Sequence, residues 1–101
     1  MVKMRKVEQL RSALAARLRD PAGSMIVAPG VYDMISVKIA NRYPLDAVYM
    51  SGYGTVASHL GLPDAGLASY SDMVNRAKLM ADGSNAPIIA DADTGYGGLL
   101  N

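Results

Sequence analysis

The chain has 101 residues, of which 50% are hydrophobic and 19% are charged, so its composition is that of a folded domain and not of a disordered segment. The formal net charge of +1 gives no electrostatic reason to expect nucleic acid or an acidic membrane surface as a partner. The absence of cysteine excludes disulfides and thiolate metal sites within these residues. No apolar run approaches the ~20 residues that a membrane span needs, and we expect a soluble, cytoplasmic protein.

The N-terminal segment predicts an amphipathic helix over residues 3 to about 19. Its apolar stripe recurs every three or four residues, at Val7, Leu10, Leu14 and Leu18. The cluster Asp20-Pro21-Ala22-Gly23-Ser24 then ends the helix. Residues 1–24 are therefore interpreted as a leading helix and linker.

Three short apolar runs follow, and they predict strands at 25–28, 47–50 and 87–90. Because they lack polar alternation, we expect both faces of each strand to be buried, as in a parallel sheet. Asp33 is placed to cap a helix that stops near Tyr43-Pro44. Ser69 or Ser71 is placed to cap a second helix, which ends at 82–85.

The predicted order is β-α-β-loop-α-β, which is an α/β fold. Three such units cannot close an eight-stranded barrel, which takes ~250 residues. The sequence stops just after the third predicted strand, where another helix should begin. We therefore expect residues 25–101 to be an incomplete domain, with a complete small doubly wound domain as the alternative.

In parallel α/β folds the loops after the strands form the active site. Asp91 and Asp93 follow the third strand, and alternation points both carboxylates to one side. Two close carboxylates repel each other, and a hard divalent cation resolves that conflict. The same residues also fit a turn and helix cap, and the two interpretations are about equally supported at this point.

Ser51-Gly52-Tyr53-Gly54 follows the second predicted strand. We interpret this segment as a Gly-rich turn, followed by a loop that extends to Asp64. A hydroxyl beside glycine N–H groups can hold a carboxylate or phosphate. An ordinary turn before a helix is the equal alternative. His59, the only histidine, is assigned no role.

Three segments in order resemble the isocitrate lyase/phosphoenolpyruvate mutase superfamily: Tyr49-Met50-Ser51-Gly52-Tyr53-Gly54, Gly61-Leu62-Pro63-Asp64-Ala65-Gly66 and Ala90-Asp91-Ala92-Asp93-Thr94-Gly95-Tyr96-Gly97. The resemblance runs from about Ile26 to the last residue. It implies that residues 25–101 are the first three strand–helix units of an (α/β)₈ TIM-type barrel. It also implies a homotetramer in which subunits exchange a C-terminal helix.

The resemblance further implies a set of site residues. Asp91 would be the principal Mg²⁺ ligand, and Asp93 and Asp64 would be further ligands. Mn²⁺ is the alternative ion. The substrate contacts would be Ser51, Gly52 and Tyr53, with Tyr49 lining the pocket.

The implied activity is Mg²⁺-dependent C–C bond cleavage of a 2-hydroxy or 2-oxo dicarboxylate through an enolate, within carboxylic acid metabolism. The substrate would resemble methylisocitrate, dimethylmalate or oxaloacetate. The cysteine loop that protonates the enolate in the lyases would lie beyond residue 101, so no catalytic residue is assigned and the chain alone should be inactive. Tyr49 and Tyr53 favour the lyase branches over the mutases, which tend to have Trp and Leu there, and Asp93 in place of Glu disfavours isocitrate lyase itself.

Two rivals stay open. A haloacid-dehalogenase-like phosphatase also has D-x-D after a strand, but it requires Thr or Val where Gly95 stands. A non-catalytic, receiver-like Mg²⁺-binding module would need a complete fold near this length.

Overall fold

The computed structural model describes residues 5–23, 25–63, 68–92 and 95. The helices are α1 (Lys6–Arg19), α2 (Met34–Ala40), α3 (Gly52–Leu60) and α4 (Tyr70–Gly83), and the strands are β1 (Gly30–Val31), β2 (Val48–Met50) and β3 (Ile88–Ala90). The described strands form one parallel sheet in the order β1-β2-β3. The predicted α/β fold with a parallel sheet is confirmed. Across the described part of the chain, no helix is both long enough and apolar enough to cross a membrane.

Side-chain caps define where α2 and α4 begin. Asp33 accepts a hydrogen bond from the Ser36 N–H at 2.8 Å. Ser69 and Asp72 form a reciprocal pair: the Ser69 hydroxyl accepts from the Asp72 N–H at 3.1 Å, and the Asp72 carboxylate accepts from the Ser69 N–H at 2.9 Å. Each cap satisfies N–H groups that have no partner inside the helix. The predicted caps are confirmed, with Ser69 and not Ser71 in the second.

The leading helix is confirmed as α1, although none of its residues is buried against the described parts of the chain. Leu18 is 82% exposed, so the predicted apolar stripe is not covered there. The Lys6 ammonium donates to the carbonyl oxygens of Ala81, at 2.6 Å, and Ser84 at the C-terminal end of α4. A cation at that end of a helix is electrostatically favourable, and this contact ties α1 to α4.

The segment after β2 differs from the prediction, because residues 52–60 form a helix where a turn and loop were expected. The Ser51 hydroxyl accepts from the Gly54 N–H at 3.0 Å, and the Ser51 carbonyl accepts from the Thr55 N–H at 2.9 Å. Thr55 and Val56 are buried. Capping and packing here outweigh the low helix propensity of the two glycines, which is ~1 kcal/mol each relative to alanine.

The first strand also lies elsewhere than predicted. Residues 25–28 were expected to form it, yet Met25 is 72% and Val27 61% exposed, and the ladder begins only at Gly30. Gly30 pairs with Tyr49 and Val31 with Met50. The strand that pairs with β2 therefore begins two residues after the predicted run ends.

One face of the sheet is covered and the other is not. Val31, Val48 and Met50 are buried in a cluster with side chains of the helices, namely Val37, Val56, Met73 and Met80. On the opposite side, Gly30, Tyr49 and Ile89 lie in register, and Tyr49 and Ile89 are 38% and 36% exposed. We call this side the open face. The prediction that both faces are buried is therefore wrong for the described residues.

Candidate active site

The ladder continues one residue beyond the strands. The Ser51 N–H donates to the Val31 carbonyl at 2.9 Å, and the Asp91 N–H donates to the Met50 carbonyl at 3.2 Å. One step past the pairs Val31–Met50 and Met50–Ala90, the register places Tyr32, Ser51 and Asp91 side by side. We call these three residues the terminal row. Because side chains alternate along a strand, the terminal row belongs to the open face.

Asp91 lies directly against Gly52. A methyl group on Gly52 would sit 3.0 Å from the Asp91 Cγ and closer still to one carboxylate oxygen. Gly52 is buried and is the first residue of α3. The carboxylate thus occupies space that only a glycine leaves free, at the N-terminal end of a helix, where negative charge is favoured. The structure therefore brings the ends of the second and third strands together, as the sequence predicted.

Tyr32 packs against the same helical turn. A methyl group on Gly54 would lie 2.7 Å from the Tyr32 Cβ. The Tyr32 N–H donates to the Ser36 hydroxyl at 3.0 Å, next to the Asp33 cap. The first strand end is therefore joined to the second by side-chain packing as well as by the ladder. Tyr32 was assigned no role from the sequence.

The remaining predicted residues fall into two groups. Tyr49 lies on the open face two residues before Ser51, and Tyr53 is on the first turn of α3 with 68% of its surface exposed. Asp64 and Asp93 lie outside the described residues. Within the described ranges, no three acidic, histidine or cysteine side chains form a metal-binding group.

A polar contact links α3 with α4. His59 Nε2 is 3.5 Å from Asp72 Oδ1, and Arg76 contacts His59 Nδ1. A guanidinium can only donate, so Nδ1 accepts and the imidazole proton is on Nε2, facing Asp72. The Ser69 N–H and hydroxyl and then His59 hold the pKa of Asp72 below its usual range. This contact, which sequence reasoning missed, links the end of α3 to the start of α4.

Comparisons with known proteins agree on one family. The phosphoenolpyruvate phosphomutase family matches residues 14–100. The chain is 47% identical over 89 residues to 2,3-dimethylmalate lyase of Eubacterium barkeri, covering 86% of this chain and 31% of that protein. It is 40% identical over 96 residues to isocitrate lyase of Haloferax volcanii, covering 95% of this chain and 26% of that protein.

Structural similarity leads to the same group. The crystal structure of oxaloacetate acetylhydrolase superimposes with a TM-score of 0.76 at 39% identity, over 94% of this chain and 32% of that chain. Other relatives are named 2-methylisocitrate lyase and carboxyvinyl-carboxyphosphonate phosphorylmutase. The chain spans about a third or less of the length of the proteins it matches. It belongs to the isocitrate lyase/phosphoenolpyruvate mutase superfamily, as its strand-end motifs predicted.

Proposed function

We propose that the full-length protein carrying this sequence is a Mg²⁺-dependent carbon–carbon lyase acting on a 2-hydroxy or 2-oxo dicarboxylate. The observation that carries the proposal is the position of the Asp91 carboxylate, against Gly52 and beside Ser51 on the open face. The relatives named as lyases of dimethylmalate and 2-methylisocitrate support the reaction class and the size of the substrate.

The donor set fits a hard divalent cation. A carboxylate is the ligand that Mg²⁺ prefers, and the absence of a side chain at Gly52 gives the carboxylate room. Asp91 would hold the ion, and Asp93 and Asp64 would complete its shell directly or through water. Mn²⁺ suits the same oxygen ligands. When bound, the ion supplies Lewis-acid stabilisation of the negative charge that develops as a C–C bond breaks.

Ser51 is suited to bind the 2-oxo acid end of the substrate. Its oxygen already accepts the Gly54 N–H, so its own proton is available for donation to a substrate oxygen. Ser51 already binds the N–H groups of Gly54 and Thr55, and the positive end of the α3 dipole at this position favours an anionic ligand. Tyr49 and Ile89 form an apolar surface below this position. Tyr53, at the helix start, would complete the contact with the substrate.

Several wider features belong to the same proposal. They are the eight-stranded barrel, the homotetramer, the cytoplasmic location and a proton-donating loop beyond residue 101. The chain alone would then lack catalytic activity. A mutase of the same superfamily is the second candidate, and the relative named carboxyvinyl-carboxyphosphonate phosphorylmutase, 38% identical over 105 residues, supports it. Tyr49 and Tyr53, which differ from the Trp and Leu expected of mutases, favour the lyase.

The test is the Asp91→Ala substitution in the full-length protein. We expect loss of Mg²⁺ binding by calorimetry and loss of Mg²⁺-dependent cleavage of dimethylmalate, 2-methylisocitrate or oxaloacetate, with an unchanged circular dichroism spectrum. Asp46→Ala is the matched control, because Asp46 is exposed and precedes β2 at the opposite end of the strand. Retained Mg²⁺-dependent turnover in Asp91→Ala would overturn the metal assignment. Interconversion of phosphoenolpyruvate and phosphonopyruvate by the wild-type protein would favour the mutase.

A further inference from the structure

We infer that Tyr32 is an additional substrate-binding residue of this site, whose phenol O–H donates to the substrate carboxylate farthest from Asp91. The inference rests on the proposed function, since it names a partner for the second carboxylate of a dicarboxylic substrate.

The placement of Tyr32 in the terminal row is the first argument. Val31, immediately before it, is 1% exposed on the covered face, and alternation turns Tyr32 to the open face. The ladder bond from the Ser51 N–H to the Val31 carbonyl puts Tyr32 next to Ser51. Tyr32 and Asp91 therefore flank Ser51 on the two neighbouring strands.

The second argument is that the base of the Tyr32 side chain is held while its ring stays accessible. Its Cβ packs on Gly54, and its backbone N–H is bound by Ser36 just before the start of α2. Tyr32 is nevertheless 47% exposed, so the side chain is not buried in the core and is accessible to a ligand. A side chain fixed in this way loses little conformational entropy when it binds a ligand.

The distribution of charge along the terminal row also favours a substrate contact at Tyr32. The terminal row runs from a carboxylate, Asp91, through the hydroxyl of Ser51 to the phenol of Tyr32. One carboxylate of the substrate can share the cation with Asp91, but a second one would be repelled there and needs a neutral donor farther along the row. Neighbouring strands are ~4.8 Å apart, so β1 and β3 are about 10 Å apart at this edge of the sheet. A four- or five-carbon dicarboxylate suits this span.

The test compares two ligands in the full-length protein with Mg²⁺ present. The probes are 3,3-difluorooxaloacetate, whose second carboxylate is separated from the 2-oxo acid end by a CF2 group, and oxalate, whose two directly bonded carboxylates can both chelate the cation and leave nothing to reach Tyr32; both are named as ligands of oxaloacetate acetylhydrolase. For Tyr32→Phe we expect the Kd of difluorooxaloacetate, measured by calorimetry, to rise about 10-fold or more, the usual effect of losing a hydrogen bond to a charged group. The Kd of oxalate should stay within about twofold. Tyr43→Phe, which alters an exposed tyrosine after α2, should change neither.

The outcomes separate the inference from the proposal on which it rests. An unchanged Kd for difluorooxaloacetate in Tyr32→Phe overturns the inference, and so does an equal loss for both ligands, since that indicates general damage to the site. Oxalate binding that needs Mg²⁺ and disappears in Asp91→Ala supports the proposed function whatever Tyr32 does. Wild-type protein that does not bind oxalate with Mg²⁺ overturns both.

Discussion

Asp91 and Gly52 belong to consecutive strand ends, and the carboxylate of the first fills the volume that a side chain on the second would need. A Cβ on Gly52 would lie 3.0 Å from the Asp91 Cγ, well inside van der Waals contact. The lack of a side chain at Gly52 therefore determines where the Asp91 carboxylate can lie.

Gly52→Ala should destabilise the protein and weaken its metal site. Alanine is the better helix residue by up to ~1 kcal/mol, but overpacking a tight position costs about 1–3 kcal/mol, so the clash outweighs the propensity. Displacing the carboxylate should reduce Mg²⁺ affinity about 10-fold or more, as expected when the support of a metal ligand is disturbed. Urea unfolding and calorimetry measure the two effects.

Gly30→Ala is the matched control for that substitution. It also places a methyl group on the open face, but no atom of the described residues lies within 4 Å of it. We expect wild-type Mg²⁺ affinity in this variant. Equal Mg²⁺ affinity in Gly52→Ala and Gly30→Ala would contradict the role assigned to Gly52.

Thr55→Val should stabilise the protein by about 1 kcal/mol. The Thr55 hydroxyl is fully buried and has no hydrogen-bond partner among the described residues, and a buried polar group without a partner costs about 1–3 kcal/mol. Valine keeps the shape and removes the hydroxyl. Thr55→Ser, which keeps the hydroxyl and loses the methyl group, should be less stable than wild type. Chemical denaturation measures both, and a valine variant less stable than wild type would show that the hydroxyl is bonded.

The Asp72 carboxylate should contribute stability that depends on pH. The Ser69 N–H and hydroxyl, with a smaller effect of His59, hold its pKa below the usual value of about 4. A depressed folded-state pKa gives stability that is present above the unfolded value and is lost as pH falls through the folded one. Asp72→Asn should therefore be less stable than wild type at neutral pH, and the difference should shrink as the solution is acidified below about pH 4.

Asp82→Asn serves as the comparison for Asp72→Asn. Its pKa is also lowered, by the Lys78 ammonium 2.7 Å away, but both side chains are more than two-thirds exposed. Solvent and salt screen such a pair, so its pH-dependent contribution should be small and should vanish at high salt. A difference between Asp72→Asn and wild type that does not vary with pH would refute the capping argument.

Capping residues and apolar runs in the sequence predicted most of the helices and strands of this fold. Asp33 and Ser69 are short polar residues directly before apolar periodic segments, and both are helix caps in the structure. The strands at 48–50 and 88–90 followed from their apolar runs. Asp91 and Ser51 could be placed near each other because parallel strands end at a common edge.

The parts that were not predicted depend on long-range packing. In α3, two glycines and a threonine argue against a helix, but the Ser51 cap and the burial of Thr55 and Val56 stabilise it. The apolar run at 25–28 resembles a strand, but β2 pairs with Gly30 and Val31 instead. Nothing in the sequence shows that Gly54 receives the Tyr32 side chain, so Tyr32 could not be assigned to the site.

The open face has two tiers with different chemistry. Tyr49 and Ile89 form an apolar surface, and the polar terminal row lies beside it at the ends of the strands. If the rest of the full-length protein covers this apolar surface, the effective dielectric constant falls, and charges in the terminal row interact more strongly than they would in water. Substitutions at Tyr49 or Ile89 could therefore tune the strength of these interactions while every polar group stays in place, which gives evolution a way to adjust reactivity and ligand choice separately.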